Sequence, residues 1–431
     1  MNSVWNKTAG LDVRPALCED KKVDVLVIGG GMCGILTGYF LKEAGARPIV
    51  VEGSRIGGGV TGNTTAKITA QHGLIYADLL ADFGRERALQ YYETNTRAIM
   101  QYQTLAERFP CDLEQKTAHV YSINRRDKLE REMTAYQKLN IPGRLREDLD
   151  LPLQTVGAVA MDGQAQFHPL KLLYALSEGL EIYEDTFVQK LEENIAHTSR
   201  GKITAERIVL ATHYPLVNIL GLYFLKLYQH RSYVLALEGA PLVEGMFLDE
   251  QEAGLSFRTY GDLLLVGGGD HKTGKTDGGL SVLRRFAKEA YPEAQIKYHW
   301  ATQDCMSLDK VPYIGRHSSG RSDLFVASGF NKWGMTGSMV AAQILTDLIV
   351  QGRSEYEVLY APRRSILRKQ LFSNVGAAAV GLLTPGAPRC THMGCKLHEN
   401  AAEQSWDCAC HGSRFTMDGQ VITGPAKREL K

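Results

Sequence analysis

The chain has 431 residues, and its 49 Lys and Arg against 48 Asp and Glu leave a formal net charge of +1, with the two signs interspersed. That balance excludes the basic footprint of a nucleic-acid binder and gives no sign of a membrane-surface patch. No apolar run reaches the ~18 residues of a membrane span, and the stretch before Val23 lacks the apolar core of a signal peptide, so we expect a cytoplasmic protein of roughly two to three domains.

The first predicted element is the apolar, β-branched run from Val23 to Ile28, which stops at Gly29, Gly31 and Gly34 and passes into a helical pattern carried by Leu36, Tyr39, Phe40 and Leu41. Strand, tight turn and helix in this order predict a dinucleotide-binding unit. The first glycine allows the turn, the second lets the backbone approach a pyrophosphate, and the third lets the helix pack on the strand. Glu52 closes the next apolar run at a distance suited to a ribose hydroxyl, which favours FAD or NAD over NADP. Residues 54–73 are too irregular for a strand and too rich in glycine for a helix, and read as a ligand loop. Its backbone N–H groups and the hydroxyls of Thr64 and Thr65 are candidates for phosphate or flavin, and Arg55 for the adenosine side.

Residues 76–140 are expected to be mostly helical, with the charged run before Leu139 as a solvated face. His168 precedes Pro169 at a predicted helix start and reads as a structural histidine. Two strands then end in IVLATH, residues 208–213, which returns the chain to the nucleotide unit and makes the second domain an insertion. Residues 233–266 alternate and predict an antiparallel sheet that carries the substrate. After it, a helix opens near Gly334 with its N-terminus placed to face a flavin ring.

Gly29 to Gly34, Glu52, the TTAKITAQHG loop, IVLATH, VPYIG and the SGFNKWGMTGSM helix start together resemble the D-amino-acid-oxidase-type FAD oxidoreductases, over residues 23 to about 350. That group includes glycine, sarcosine and amine oxidases. The resemblance implies FAD held by Gly29, Gly31, Gly34, Glu52, Arg55, Thr64, Thr65, Ala66 and Lys67. It implies Val188, Ala211 and Thr212 on the adenosine side, and Gly334, Met335 and Thr336 at the flavin ring. Two departures bear on the substrate. Where amino-acid-oxidising relatives carry a carboxylate-clamping arginine ahead of DxxP, this chain has Thr302, Gln303 and Asp304 before Asp309 and Pro312. Where sarcosine-type relatives carry an oxygen-activating lysine ahead of Gly-Tyr-His, an ungapped comparison with Gly268, Gly269, Asp270 and His271 puts Gly267. Asp304 and His271 are the candidate catalytic residues, and Asp304 is expected to hold the distal ammonium of a cationic amine.

Cys18, Cys33, Cys111 and Cys305 are scattered, but Cys390, Cys395, Cys408 and Cys410 crowd the C-terminus, which in a cytoplasmic chain reads as a metal site before a disulfide framework. Cys390 with His392 and Cys408 with His411 form two Cys/His pairs, compatible with zinc or with a mixed-ligand iron–sulfur centre. The tight CxH pair and the Cys-His-Gly run resemble the Rieske family. That resemblance implies a [2Fe-2S] cluster on Cys390, His392, Cys408 and His411, a disulfide between Cys395 and Cys410, and a Ser413 hydroxyl directed at a bridging sulfide. Few residues separate the flavin helix from Cys390, so the strands that ordinarily brace the cluster loops are expected to be shortened.

The expected fold class is α/β. A Rossmann-like FAD-binding domain spans residues 20–75, 155–230 and 305–352, with an inserted α+β substrate domain, built on an antiparallel sheet, over 76–154 and 231–304. A linker over 353–386 leads to a small, shortened β-type Rieske domain over 387–431. The whole resembles bacterial flavoprotein–Rieske fusions. The function this implies is oxidation of a C–N bond of a small amine, with hydride passing to FAD, the imine hydrolysed by water, and electrons relayed to the cluster and an external acceptor. Two alternatives stand beside it: an oxygen-using amine or amino-acid oxidase with a vestigial cluster, and an electron-transfer flavoprotein with no amine substrate. Neither a nucleic-acid partner nor a membrane span is expected.

Overall fold

In the computed structural model, which describes residues 3–10, 12–275 and 279–430, the apolar run of Lys21–Ile28 is the centre of a mostly parallel sheet. It pairs in parallel with Lys202–Leu210 on one side and Pro48–Val51 on the other, and Arg321–Ser328 and Glu181–Tyr183 extend the two flanks. Leu26, Val27 and Val50 are fully buried because both faces are covered, and this is why these strands carry continuous apolar runs and no alternation. The helices Met32–Glu43 and Gly334–Val350 pack together on one face, and both are apolar nearly all round. The interval between Pro48–Val51 and Lys202–Leu210 leaves this layer and returns to it.

The second sheet has nine strands. Their order is Gln295–Ser307, Leu227–Glu238, Leu263–Lys272, Ser256–Tyr260, Met246–Asp249, Glu114–Ser122, Gly157–Gln166 and Lys67–Ile68, with Arg144–Arg146 also paired to Gly157–Gln166. Its pairs are antiparallel except where Met246–Asp249 runs parallel to Glu114–Ser122. Residues 76–140 are mostly helical as expected, in Tyr76–Arg108 and Arg126–Leu139, but between these helices Glu114–Ser122 is a strand. Its Thr117, Val120 and Tyr121 suit a pleated surface, and the distant Gly157–Gln166 supplies the partner that realises it. That partner also belongs to the second sheet, so the boundary expected at residue 155 falls too early. The chain re-enters the first layer with the helix Pro169–Ser177, where His168 accepts the Lys171 N–H at Nδ1 (3.3 Å) and meets the Thr8 hydroxyl at Nε2 (2.9 Å), in keeping with a structural role.

Period-two alternation gives the second sheet two distinct faces. Val234, Ala236, Leu265 and Trp300 point toward the first layer, and by register so do Arg258, Thr302 and Asp304. Tyr233, Leu235, Phe257, Leu264 and Val266 point the other way, into a cluster under the helix Gly279–Ala290.

The C-terminal unit is a four-stranded antiparallel sheet of Leu397–Asn400, Ser405–Cys408, Arg414–Thr416 and Val421–Thr423. It is small, as expected, but the segment expected to be a linker holds the helix Lys369–Leu383. That helix lies against the cluster-loop cysteines: a Cβ at Gly381 would stand 2.8 Å from Cys410 Sγ. Bracing comes from this helix and from the outward face of the second sheet.

Candidate functional site

The glycine turn is built where a side chain has no room. Gly29 ends its strand at φ +114°, and a Cβ there would collide with the carbonyl of Ala211, while one at Gly34 would collide with the carbonyl of Gly29. Helix and strands therefore meet backbone to backbone. Gly31 caps the helix Met32–Glu43 with no side chain of its own and no acidic residue in the first turn, which leaves its positive end open to an anion. Beside the turn, Glu52 accepts the Gly30 N–H (2.8 Å) and the Ser54 N–H (2.9 Å), and burial raises its carboxyl above the usual range. Val188 is buried at the start of a neighbouring hairpin, Ala211 donates its N–H to Ile28, and the Thr212 hydroxyl donates to the carbonyl of Tyr214 (2.8 Å). Arg55 is engaged otherwise than expected. Its guanidinium pairs with Glu184 (3.1 Å) and Asp185 (2.9 Å).

The loop after Gly59 is strapped from three distant places. Trp5 Nε1 donates to the Thr64 carbonyl (2.7 Å), Trp300 Nε1 to the Asn63 carbonyl (3.0 Å), and Arg258 Nη1 to the carbonyls of Thr65 (2.7 Å) and Ala66 (2.9 Å). These three straps were not legible in the sequence, because each is drawn from a part of the chain with no local motif. The Thr64 hydroxyl accepts the Ala66 N–H (3.0 Å), and Lys67 donates to the Phe247 carbonyl (3.2 Å), with burial and then Arg258 lowering its ammonium to about 7. Thr336 is fully buried and clasps Thr69 in both directions, accepting its N–H and donating to its carbonyl, each at 3.0 Å. Its hydroxyl is thus spent on the loop, and what the start of Gly334–Val350 leaves for a ring is the backbone N–H groups of Gly334, Met335 and Thr336. Next to them, Trp333 stacks on His72 (4.7 Å between ring centroids, 15°).

The two candidate catalytic residues lie on opposite faces of the second sheet. Asp304 is on the face toward the first layer, beside the Ser232 hydroxyl (3.3 Å), and burial pushes its carboxyl up to about 6 against the pull of Lys332. Lys332 itself pairs with Asp270 (3.0 Å). His271 is corrected by the structure. Opposite Arg231 in register and stacked on Tyr233 (5.8 Å), it belongs to the outward face, where the C-terminal unit docks, and not to the substrate side.

In the C-terminal unit, Cys390 and Cys408 are buried together, and His392 and His411 meet edge to face with ring centroids 4.9 Å apart. The geometry separates the two nitrogens of each ring. Nε2 of His392 faces Asn218 Oδ1 (3.2 Å) and Nε2 of His411 the Phe224 carbonyl (3.1 Å), whereas both Nδ1 atoms are buried with no partner among the described residues. A held outer nitrogen and a bare inner one is the pattern of a ligating histidine with its orienting acceptor. The Cys390 thiol is drawn down to about 6, first by its contact with Cys408, whose own thiol is pushed up by the same contact and by burial. Cys395 and Cys410 are joined in a disulfide that ties the two loops. Ser413 Oγ accepts the Ala426 N–H (3.0 Å) and lies at hydrogen-bonding distance of the Cys390 thiol. Two thiols in contact and two imidazoles in contact, both Nδ1 atoms buried and unpartnered, suit a two-iron cluster with split ligation.

This unit sits on the outward face of the second sheet. Gln229 Nε2 donates to the His411 carbonyl (2.7 Å) and Gln303 Nε2 to the Gly412 carbonyl (2.8 Å). Arg231, Glu403, Arg414 and Asp407 form a buried ion network, and the Tyr233 hydroxyl adds a bond to Glu403 (2.9 Å). Tyr214, two residues past Thr212, stands with its ring centroid 6.3 Å from that of His392 and 6.4 Å from that of His411.

A family model described as FAD dependent oxidoreductase matches residues 24–348, and one described as Rieske [2Fe-2S] domain matches residues 382–431. YhfW of Bacillus subtilis (strain 168), which bears the name of a Rieske 2Fe-2S iron-sulfur protein, is 35% identical over 99% of this chain and 96% of its own. Among solved structures, L-proline dehydrogenase from P. horikoshii has a TM-score of 0.68 at 18% identity, covering 80% of this chain and 98% of that one. Glycine oxidase from Geobacillus kaustophilus has a TM-score of 0.67 at 22% identity, covering 80% and 100%. At these identities the two structures establish the fold. Among the described residues no helix is long and apolar enough to cross a membrane.

Proposed function

Because the chain belongs to the FAD-dependent oxidoreductases and carries a C-terminal Rieske [2Fe-2S] domain, so that it binds both cofactors, we propose that it oxidises a C–N bond of a small amine and relays the electrons within the chain, from the flavin site to the cluster and on to an external acceptor. Bound FAD supplies hydride acceptance from the carbon beside the nitrogen, and the bound cluster supplies one-electron carriage. The imine so formed is hydrolysed by water.

The chain's own part is placement. Gly29, Gly31 and Gly34 open the pyrophosphate turn, Glu52 takes the ribose, and Ala211, Thr212 and Val188 border the adenosine. Arg55, held by Glu184 and Asp185, reaches that side only as part of an ion network. Thr64, Thr65, Ala66 and Lys67 border the ring from the strapped loop, with the start of Gly334–Val350 beneath it. Cys390, His392, Cys408 and His411 hold the cluster. Asp304, on the inward face, favours a cationic or neutral amine over a simple amino acid, because a buried carboxylate repels a substrate carboxylate. The names of the two structural neighbours, a dehydrogenase of L-proline and an oxidase of glycine, support oxidation beside an amine nitrogen, while Asp304 turns the proposed substrate away from the amino acids those names give.

The observation that carries the relay is the position of Tyr214. It touches the edge of both cluster histidines and shares a buried cluster with Cys305, whose carbonyl accepts the Asn331 N–H (3.0 Å) in the turn that opens the flavin helix. These contacts support a route between the two cofactor sites. The test is anaerobic titration of the holoprotein with a panel of amines and no added carrier. Bleaching of the flavin absorbance, followed by the spectral signature of a reduced cluster, is expected. A flavin that dithionite reduces but no amine does would reject amine oxidation and leave the electron-transfer reading.

A further inference from the structure

The helix Lys369–Leu383 turns an apolar face to the outside that nothing in the proposed function uses. Phe372 is 72% exposed, Val380 67% and Leu383 83%, with Val375 and Ala379 between them, and Leu367, 77% exposed, stands just before the first turn. Its other face is seated: Leu371 and Asn374 are buried, Ala378 packs against the cluster-loop cysteines, and Gly381 lies over their disulfide. An exposed Leu alone needs no explanation, but a helix apolar on its outer face is unusual for a surface element.

The sequence around this helix is one-sided in charge. Residues 358–398 contain no Asp or Glu but hold Arg363, Arg364, Arg368, Lys369, Arg389 and Lys396. Arg364 is spent on Asp309, Arg368 approaches Asp82 (3.5 Å), and Arg389 donates to the carbonyls at the helix end. Arg363, Lys369 and Lys396 have no carboxylate partner among the described residues. The near-zero net charge of the chain conceals this patch, since the remainder is net acidic. The even balance read from the whole sequence is corrected here.

We propose that this helix lies in the interfacial layer of an anionic lipid bilayer, its apolar face among the acyl chains and its flanking cations at the headgroups. At 15 residues it is too short to span a bilayer but of a length suited to lie in its surface. A second copy of the chain is a poorer occupant, because pairing the two faces would set the same cations against each other. The inference is independent of the amine and of the relay.

The experiment is co-sedimentation of full-length holoprotein with vesicles of phosphatidylglycerol and phosphatidylcholine in equal parts, and with vesicles of phosphatidylcholine alone. Binding to the first and not the second, weakened by high salt, is expected. Arg363→Gln and Lys369→Gln should each weaken binding about fivefold. Phe372→Ser and Leu383→Ser should each weaken it roughly tenfold or more. All four positions are exposed, and retained flavin absorbance checks that the variants fold. No sedimentation with the anionic vesicles, equal sedimentation with both lipids, or binding unchanged in Phe372→Ser overturns the proposal. A concentration-dependent dimer that Phe372→Ser abolishes overturns it too, and identifies a second copy as the occupant.

Discussion

His392 and His411 differ from the capping His168 in which ring nitrogen is left bare, and they differ from His317, also held at Nε2 and bare at Nδ1, in meeting each other beside two buried thiols. His168 has partners at both nitrogens and works as a helix cap, whereas each cluster-loop histidine is held at Nε2 and open at Nδ1. His392→Ala should therefore release iron while flavin stays bound, read by metal analysis and flavin absorbance on the same sample; equal loss of both would count against separable sites. Asp304 makes a second prediction at this scale. With its carboxyl raised to about 6, the charged form that attracts an ammonium fills as pH rises through that value. Preference for a diamine over an amino acid of similar length should strengthen from pH 5 to 7.5, and Asp304→Asn should remove it. The sign for stability is opposite. A carboxyl raised on folding opposes the fold once pH exceeds its ordinary range, so Asp304→Asn should raise Tm at pH 7.5 and leave it unchanged near pH 4. An unchanged diamine preference in the variant would reject the role. The Rieske domain was legible in sequence because the Cys and His of each box lie within a few residues of each other. Arg258, Trp5 and Trp300 were not, since they reach the ligand loop from far along the chain.

Among elements, the contact that matters most is the docking of the C-terminal unit on the strand Leu227–Glu238. Burial opposes the ionisation of Glu403, but the guanidinium groups of Arg231 and Arg414 hold it below the usual carboxylate range. Arg231→Ala leaves a buried carboxylate with one of its two arginines, a loss of about 3 kcal/mol by analogy with other broken buried pairs. The expected result is an early thermal transition and protease release of the C-terminal unit, with flavin absorbance and amine-driven bleaching retained. Transitions that coincide with the parent's would show that the network contributes nothing to docking. Sequence reading was weakest at this scale. Glu114–Ser122 is a strand only because Gly157–Gln166 lies beside it, and the Gly- and Ala-rich segment 374–381 reads as a linker until the disulfide beneath it supplies the packing.

Across the whole molecule, the two faces of the second sheet divide the labour. The inward face carries Asp304 and the Arg258 strap on the ligand loop, the outward face carries the C-terminal unit, and Tyr214, in one buried cluster with Cys305, stands beside the unit's two histidines. The glycine turn, the helix start at Gly334 and the cluster boxes pointed to an FAD domain and a Rieske domain, which the family models match, but nothing in the sequence placed one relative to the other. That relation depends on long-range pairing, such as Gln229 and Gln303 with the loop at His411 and Gly412. If Tyr214 acts through its ring, Tyr214→Phe should behave as the parent, while Tyr214→Ala should leave amine-driven bleaching intact and slow only the later reduction of the cluster, both followed by anaerobic stopped flow. Loss of the cluster in Tyr214→Ala would be seen as lost iron, so a slow second phase with full iron content is a transfer effect. If Gly267 stands where sarcosine-type relatives carry a lysine, reduced parent protein should turn over slowly in air and faster with an artificial one-electron acceptor, and Cys408→Ser should lose the second route alone. If the parent passes no electrons to the acceptor, or Cys408→Ser passes them as fast as the parent, electrons do not travel through the cluster and the relay is rejected.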